Sequence, residues 1–224
     1  MTRSDLIAIW DVWIRLFHWT LAASVGFLLY TGLTGDLFFD WHRDIGELVL
    51  LLIVFRLVWG VIGSSNARLI RLFRSPVEGV DHIRHFAKRE VPLEREHNAA
   101  GAWAVIAMIL MLGTQAVTGL FIADEDEFVE GAFYGDVSSD LSDWMYRIHH
   151  INAELIQIIL IVHIGMVLLY WLYAKRNLVL PMFTGKINWT SDTEPPSIVI
   201  RQWWIGALAL MVCSVLIGWL VGWY

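Results

Sequence analysis

The chain has a single cysteine, Cys213, and only 17% of its 224 residues are charged. One cysteine excludes an intrachain disulfide, a Cys-based metal cluster and a covalent heme-attachment motif. The charged fraction lies below the roughly 25% typical of a soluble domain, and hydrophobic residues reach 57%. The alternating ten-residue pattern of a transmembrane barrel is also missing. A polytopic helical membrane protein remains, because in lipid only helices or closed barrels satisfy the backbone.

Five apolar stretches are long enough for a membrane span, which needs about 20 mostly apolar residues. The first opens in a Trp-rich segment typical of a membrane interface, and it lacks the features of a cleavable signal, so we expect it to be retained. Pro195 and Pro196 favour a non-helical linker over 187–200. The first and third spans share a terminal TGL sequence, a match too short to argue from alone. The predicted spans are 13–32, 44–63, 99–122, 150–173 and 202–222.

Charge is distributed unevenly between the loops. Seven basic residues lie between the second and third spans and four between the fourth and fifth, whereas loop 124–143 carries eight carboxylates. We call the side of the membrane with the two basic loops the basic side, and the side with loop 124–143 the acidic side. The positive-inside rule predicts that the N-terminus and both basic loops are cytoplasmic and that the acidic loop and Tyr224 face outward. Within the first basic loop, Ser75 and Pro76 predict the start of a short amphipathic helix at the membrane surface.

Four of the eight histidines lie in or at the ends of spans: His18, His42, His149 and His163. An ionisable residue there indicates function, although a histidine can also hydrogen-bond a neighbouring helix. His149 and His163 are 14 residues apart, which places them about 21 Å apart on one helix face. In the predicted topology, His42 and His149 share the acidic-side level and His18 and His163 the basic-side level. Facing imidazoles at each level predict two bis-histidine heme sites, since zinc would need further ligands.

Other spacings add candidates at these levels. Arg56 lies 14 residues after His42, on the ligand face at the basic-side level, where it predicts a heme propionate contact or reaches toward lipid headgroups. Gly32 falls at the acidic-side level, where a glycine would admit a macrocycle edge or simply marks the helix exit. His150 competes with His149 for the acidic-side site, and the same-face spacing favours His149.

The stretches VWIRLFHW, HRDIGELVLLLIVFRLVWG, EHNAAGAW and HHINAELIQIILIVH resemble the prokaryotic cytochrome b561 family, in particular the b-type cytochrome subunits associated with nickel–iron hydrogenases and c-type cytochromes. The resemblance covers 9–187. It implies an all-α, integral membrane four-helix core with two b hemes over 1–187. A linker and a fifth transmembrane helix follow over 188–224. Carried over by position, the family's cofactor-binding residues fall on Arg15, His18, His42, His149 and His163.

The function implied is that of a diheme cytochrome in a bacterial inner membrane, relaying electrons between membrane quinone and a partner at the outer face. Loop 124–143 would steer a basic periplasmic c-type cytochrome, unless it is simply a solvated loop; a dehydrogenase or hydrogenase subunit is the other expected partner. Alternatives are a superoxide oxidase that passes electrons to quinone and a heme-containing membrane anchor of a soluble dehydrogenase, so enzymatic activity stays open. Small residues in the fifth span predict close helix contact in docking or a homo-oligomer. No nucleic-acid partner is expected.

Overall fold

The computed structural model describes residues 4–35, 38–89, 98–124, 129–190 and 197–223. It is mostly helical, with two small antiparallel sheets that pair β1 with β4 and β2 with β3. The strands are β1 Ser4–Ala8, β2 Ala123–Asp124, β3 Val129–Glu130 and β4 Lys186–Thr190. The helices are α1 Val12–Thr34, α2 His42–Ile62, α3 Pro76–Ala87, α4 Ala99–Gly119, α5 Ser139–Leu172, α6 Val179–Thr184 and α7 Trp203–Val221.

Five helices, α1, α2, α4, α5 and α7, are long and apolar enough to cross a membrane, which confirms the all-α membrane fold. Helix α5 begins at Ser139, eleven residues before the predicted start of the fourth span at residue 150. Its first three turns are polar, so hydropathy misses them. The Ser138 hydroxyl accepts a bond from the Leu141 amide at 3.4 Å, and the Ser142 hydroxyl donates to the Phe121 carbonyl at 2.8 Å. These contacts extend the helix beyond its apolar stretch.

Helix α2 is the most enclosed of the five. More than half of its apolar window is buried, against a third or less in each of the other spans. Its core run, Val49 to Phe55, is almost continuously buried. Large apolar side chains on the other spans are widely exposed, as expected where lipid rather than water is the solvent.

The contacts of the chain divide it into two units, each described separately below. We name them by the loops they carry. The basic-side unit comprises Met1–Leu16, Leu57–Ala107 and Ile159–Gly206, and the acidic-side unit comprises Phe17–Arg56, Met108–Ile158 and Ala207–Tyr224.

In the basic-side unit, β1 and β4 pair in register from Ser4 opposite Thr190 to Ala8 opposite Lys186. Residues 187–190 of the non-helical linker predicted over 187–200 are therefore strand. The amides of Ser65 and Arg201 then bond the Val199 carbonyl and the Ser64 hydroxyl, respectively, at 3.0 Å each. The sequence pattern missed the pairing of β1 with β4 because these strands are about 180 residues apart in the chain. The two prolines of the linker lie outside the described residues.

Helix α1 begins at a buried carboxylate in the basic-side unit. Asp11 Oδ1 accepts the Ile14 amide at 2.8 Å, which is the geometry of a helix N-cap. Asp11 Oδ2 accepts the indole N–H of Trp59, a fully buried side chain, at 3.1 Å. One carboxylate thus caps α1 and fixes the basic-side end of α2.

Helix α3 forms where the sequence places it. The Ser75 hydroxyl accepts the Glu78 amide at 3.2 Å, which confirms the predicted cap. Val77, Val80 and Ile83 project an exposed apolar face, as an amphipathic surface helix requires.

The opposite face of α3 buries His82, whose Nε2 bonds the Tyr170 hydroxyl of α5. Asn98 Nδ2 donates to the same hydroxyl at 2.9 Å. Burial lowers the pKa of His82 from its usual 6.5, and the neighbouring His85 lowers this pKa further. The contact between His82 Nε2 and the Tyr170 hydroxyl holds α3 on α5.

Helix α7 packs one face within the chain. Ala209, Cys213, Ile217 and Val221 recur every fourth residue and are all buried, so they form a stripe along one side of the helix. In the basic-side unit, Gly206 leaves no room for a side chain against the Trp13 indole. The buried small residues Gly206 and Ala209 thus make contacts inside the chain, and the predicted role of this helix in docking stays a prediction.

Candidate functional site

Two histidines of the acidic-side unit are each held by a threonine of a neighbouring helix. His42 Nδ1, at the start of α2, lies 2.8 Å from the Thr31 hydroxyl near the end of α1. His149 Nδ1, on α5, lies 3.0 Å from the Thr118 hydroxyl near the end of α4. The structure thus contains the same histidine–threonine contact twice.

The threonine hydroxyls fix which histidine nitrogen carries the proton. Thr31 Oγ1 lies 3.1 Å from the Phe27 carbonyl, one turn earlier in its helix. Thr118 Oγ1 lies 2.8 Å from the equivalent carbonyl of Thr114. Because a hydroxyl has one proton and two lone pairs, each threonine donates to its own helix and accepts from imidazole Nδ1–H. We infer that both rings keep the Nε2 lone pair for a ligand, the arrangement by which outer contacts orient metal-binding histidines.

A glycine follows each threonine and touches the same ring. A Cβ built at Gly32 would lie 3.3 Å from His42 Cε1, and one built at Gly119 would lie 3.2 Å from His149 Cε1. Both distances are tighter than ordinary contact, so the glycines keep space beside the imidazoles. These Thr-Gly pairs are the two TGL sequences at the ends of the first and third spans. That repeat was the signal for Thr31 and Thr118, which sequence reasoning did not select.

The two rings belong to one local site. His42 and His149 lie within electrostatic range of each other, and Asp124 lies within range of His42. The structure brings His149, rather than His150, to a threonine: His150 is exposed and packs against the Tyr146 ring with centroids 4.2 Å apart.

The rotation of α5 is fixed one turn beyond His149. Asn152 is buried, and its Nδ2 donates to the Met111 carbonyl at 2.8 Å and to Gln115 Oε1 at 2.7 Å. Both acceptors are on α4. Because residues three apart share a helix face, these bonds also aim His149 toward the site.

The basic-side candidates are distributed between the two units. His18, half-buried on α1, falls in the acidic-side unit and packs edge-on to Trp19 with centroids 4.9 Å apart. His163, half-buried on α5, falls in the basic-side unit. Arg56 is buried in α2, with 4% of its surface exposed. Each residue is placed by its own helix, and Arg56 shares the acidic-side unit with His18.

Arg15 lies in the basic-side unit and bonds backbone carbonyls. Its Nη1 donates to the Phe183 carbonyl at 2.6 Å, and its Nε lies 3.4 Å from the Asp11 carbonyl. These contacts tie the start of α1 to α6, so Arg15 has a structural role whether or not it also meets a cofactor.

The acidic-side residues fit a b-type heme. Two imidazoles offer Nε2 and two glycines leave space beside them. Within the described ranges, no cluster of three or more His, Cys, Asp or Glu side chains is arranged to hold a metal ion. A pair of imidazoles suits an iron whose remaining ligands belong to a macrocycle.

Comparison with known proteins agrees with this chemistry. No curated protein matches the chain significantly. The sequence profile of the family described as prokaryotic cytochrome b561 matches residues 9–185, about four-fifths of the chain, and leaves α7 outside the match. The chain therefore belongs to the prokaryotic cytochrome b561 family and is a multi-pass membrane b-type cytochrome of electron transfer.

Proposed function

We propose that this protein binds two b hemes and relays electrons across the membrane between quinone and a redox partner at the acidic side. The duplicated histidine–threonine contact is the observation that carries the proposal. A histidine that only joined two helices would have no need of a second copy with the same tautomer and the same adjacent glycine.

At the acidic side, His42 and His149 would hold the iron through Nε2, and Thr31 and Thr118 orient the two rings. When bound, heme supplies a one-electron iron couple, tuned by its axial ligands and their hydrogen bonds. The protein keeps the rings oriented in advance, so that little rearrangement accompanies a change of charge.

A second heme at the basic side would use His18 and His163. Two arguments support this second heme: the four histidines fall at two matched levels in the predicted topology, and the chain belongs to the prokaryotic cytochrome b561 family. Arg56 would contact a propionate there, because its 14-residue spacing from His42 places it on the ligand face at the basic-side level. Arg15 would contact a propionate of the same heme, in addition to its backbone contacts.

The proposed orientation of the chain in the membrane follows from the charge of its loops. We place the N-terminus and the basic loops in the bacterial cytoplasm and the acidic loop in the periplasm. Asp124, Glu130, Asp136, Asp140 and Asp143 are the described carboxylates of that loop; Glu125, Asp126 and Glu127 lie outside the described residues. Their charge suits a basic partner such as a c-type cytochrome.

The test is reduction of the purified protein by a quinol analogue in lipid vesicles. We expect two hemes b per chain by pyridine hemochrome assay, both reduced by the quinol analogue and reoxidised by a basic c-type cytochrome added at the acidic side. Hemes that accept electrons only from superoxide would favour the superoxide oxidase instead. Hemes that no quinol analogue reduces would contradict the relay.

A further inference from the structure

The last described residues of the chain turn back onto α2. Gly222 has φ +82°, the left-handed conformation that glycine adopts readily. The Trp223 amide bonds the Gly218 carbonyl at 2.8 Å, which closes a Schellman turn at the end of α7. The turn carries the Trp223 indole off the helix axis, and its Nε1 donates to Glu47 Oε2 at 2.5 Å.

Glu47 is a buried carboxylate, with 3% of its side chain exposed. Its Oε1 accepts from Arg43 Nε at 2.9 Å, and the Arg43 side chain is 40% exposed. Its Oε2 accepts from Trp223. A buried charge is tolerated only when both its oxygens find such donors, so the indole at the chain's end satisfies one half of this carboxylate.

This carboxylate and His42 of the acidic-side heme site lie on the same helix. Glu47 follows His42 by five residues on α2, which is about 7.5 Å along the helix axis. Both residues belong to the acidic-side unit, as does Trp223. In a low-dielectric interior a charge at such a distance acts on an iron centre without touching it. A fixed negative charge stabilises the oxidised, more positive iron.

We propose that Glu47 lowers the potential of the acidic-side heme and that Trp223 of the C-terminal segment holds the Glu47 carboxylate in the position where it does so. The inference rests on the proposed heme at His42 and His149. It gives the C-terminal helix, which lies outside the family match, a part in tuning electron transfer. Trp223 and Glu47 act through position and charge, and neither is a ligand.

Glu47→Gln tests the charge. We expect a rise in the midpoint potential of one heme, with the other heme unchanged, in a spectroscopic redox titration of the full chain. Asp44→Asn is the matched control, because Asp44 is an exposed carboxylate on the same helix and water screens its charge. Equal potentials in wild type and Glu47→Gln would overturn the proposal.

Trp223→Phe tests the position. Without the indole donor the carboxylate turns toward water beside Arg43, so we expect a smaller rise at the same heme. Trp223→Phe combined with Glu47→Gln should show no rise beyond Glu47→Gln alone, since both changes act through one charge. Trp219→Phe is the control, because Trp219 is 77% exposed on α7.

Heme content, measured first, separates this inference from the proposed function. A wild-type chain without heme at His42 and His149 overturns both. If the wild-type chain binds two hemes and Trp223→Phe leaves both midpoint potentials unchanged, the inference is overturned and the proposed function is not. If Glu47→Gln fails to retain heme, a chain ending at Gly222 decides the question: the potential must rise as in Trp223→Phe, and a wild-type value refutes the role of the C-terminal segment.

Discussion

Histidine is used in two different ways in the two units. In the acidic-side unit, His42 and His149 bond through Nδ1 and keep Nε2 available. In the basic-side unit, His82 uses Nε2 itself, bonded to the Tyr170 hydroxyl. The nitrogen that is occupied therefore separates the proposed roles: the first two rings leave Nε2 for the proposed heme, and the third joins α3 to α5. Burial alone does not distinguish them.

The largest effect is expected from the buried carboxylate that anchors the basic-side unit. Asp11→Ala removes the cap of α1, which costs about 1 kcal/mol, and leaves the buried Trp59 N–H unsatisfied at a cost of about 1–3 kcal/mol. We expect the free energy of unfolding in detergent to fall by about 2–4 kcal/mol. Asp11→Asn, which keeps an oxygen for the cap, should lose less. An equal loss of unfolding free energy in the two variants would show that Asp11 does not act as the cap of α1.

The acidic-side threonines should affect heme rather than folding. Thr31→Val combined with Thr118→Val removes both acceptors of imidazole Nδ1–H. We expect heme affinity at this site to fall roughly 10–100-fold, the usual cost of losing an outer contact to a metal ligand. Heme retention during dilution measures it. Thr114→Val is the control, because Thr114 is exposed on the same helix as Thr118. Wild-type retention in the double variant would refute the orienting role.

The His82 contact should depend on pH. The folded pKa is lowered, so below the usual 6.5 the unfolded state binds a proton more readily than the folded state. The stabilisation is full above about pH 6.5 and is lost as pH falls toward the folded pKa. Limited proteolysis of α3 should therefore accelerate on mild acidification. His82→Gln should remove this dependence, whereas His85→Gln, which removes only the smaller of the two influences on the pKa of His82, should keep most of it.

The smallest effect is expected from the glycine beside His149. Gly119→Ala places a Cβ 3.2 Å from His149 Cε1, so the ring must shift by a few tenths of an ångström. We expect a small change in the absorption and potential of one heme, with normal folding. Gly26→Ala is the control, because its Cβ would meet nothing within 4 Å. Identical spectra for both variants would show that the ring has room to move.

Sequence reasoning succeeded where a signal is local. Hydropathy found all five spans, and Ser75 with Pro76 marked the start of α3. It failed where the partner is distant along the chain or the motif is short. The β1–β4 pairing, the Asp11–Trp59 contact and the turn at Gly222 depend on tertiary contacts that no periodicity reports.

The four histidines stood out because a titratable group in an apolar stretch is rare. Thr31 and Thr118 did not, because threonine is common in spans and a three-residue repeat has little weight alone. The repeat became informative only when the structure placed both hydroxyls on imidazole nitrogens.

The central claim is that His42 and His149, on different helices, hold one heme between them. The most direct test compares His42→Ala with His149→Ala by hemochrome assay and low-temperature absorption spectra. We expect both variants to keep one heme and to lose the same spectral component, while His150→Ala keeps two. Loss of different components in the two variants, or loss of heme from His150→Ala instead of His149→Ala, would contradict it.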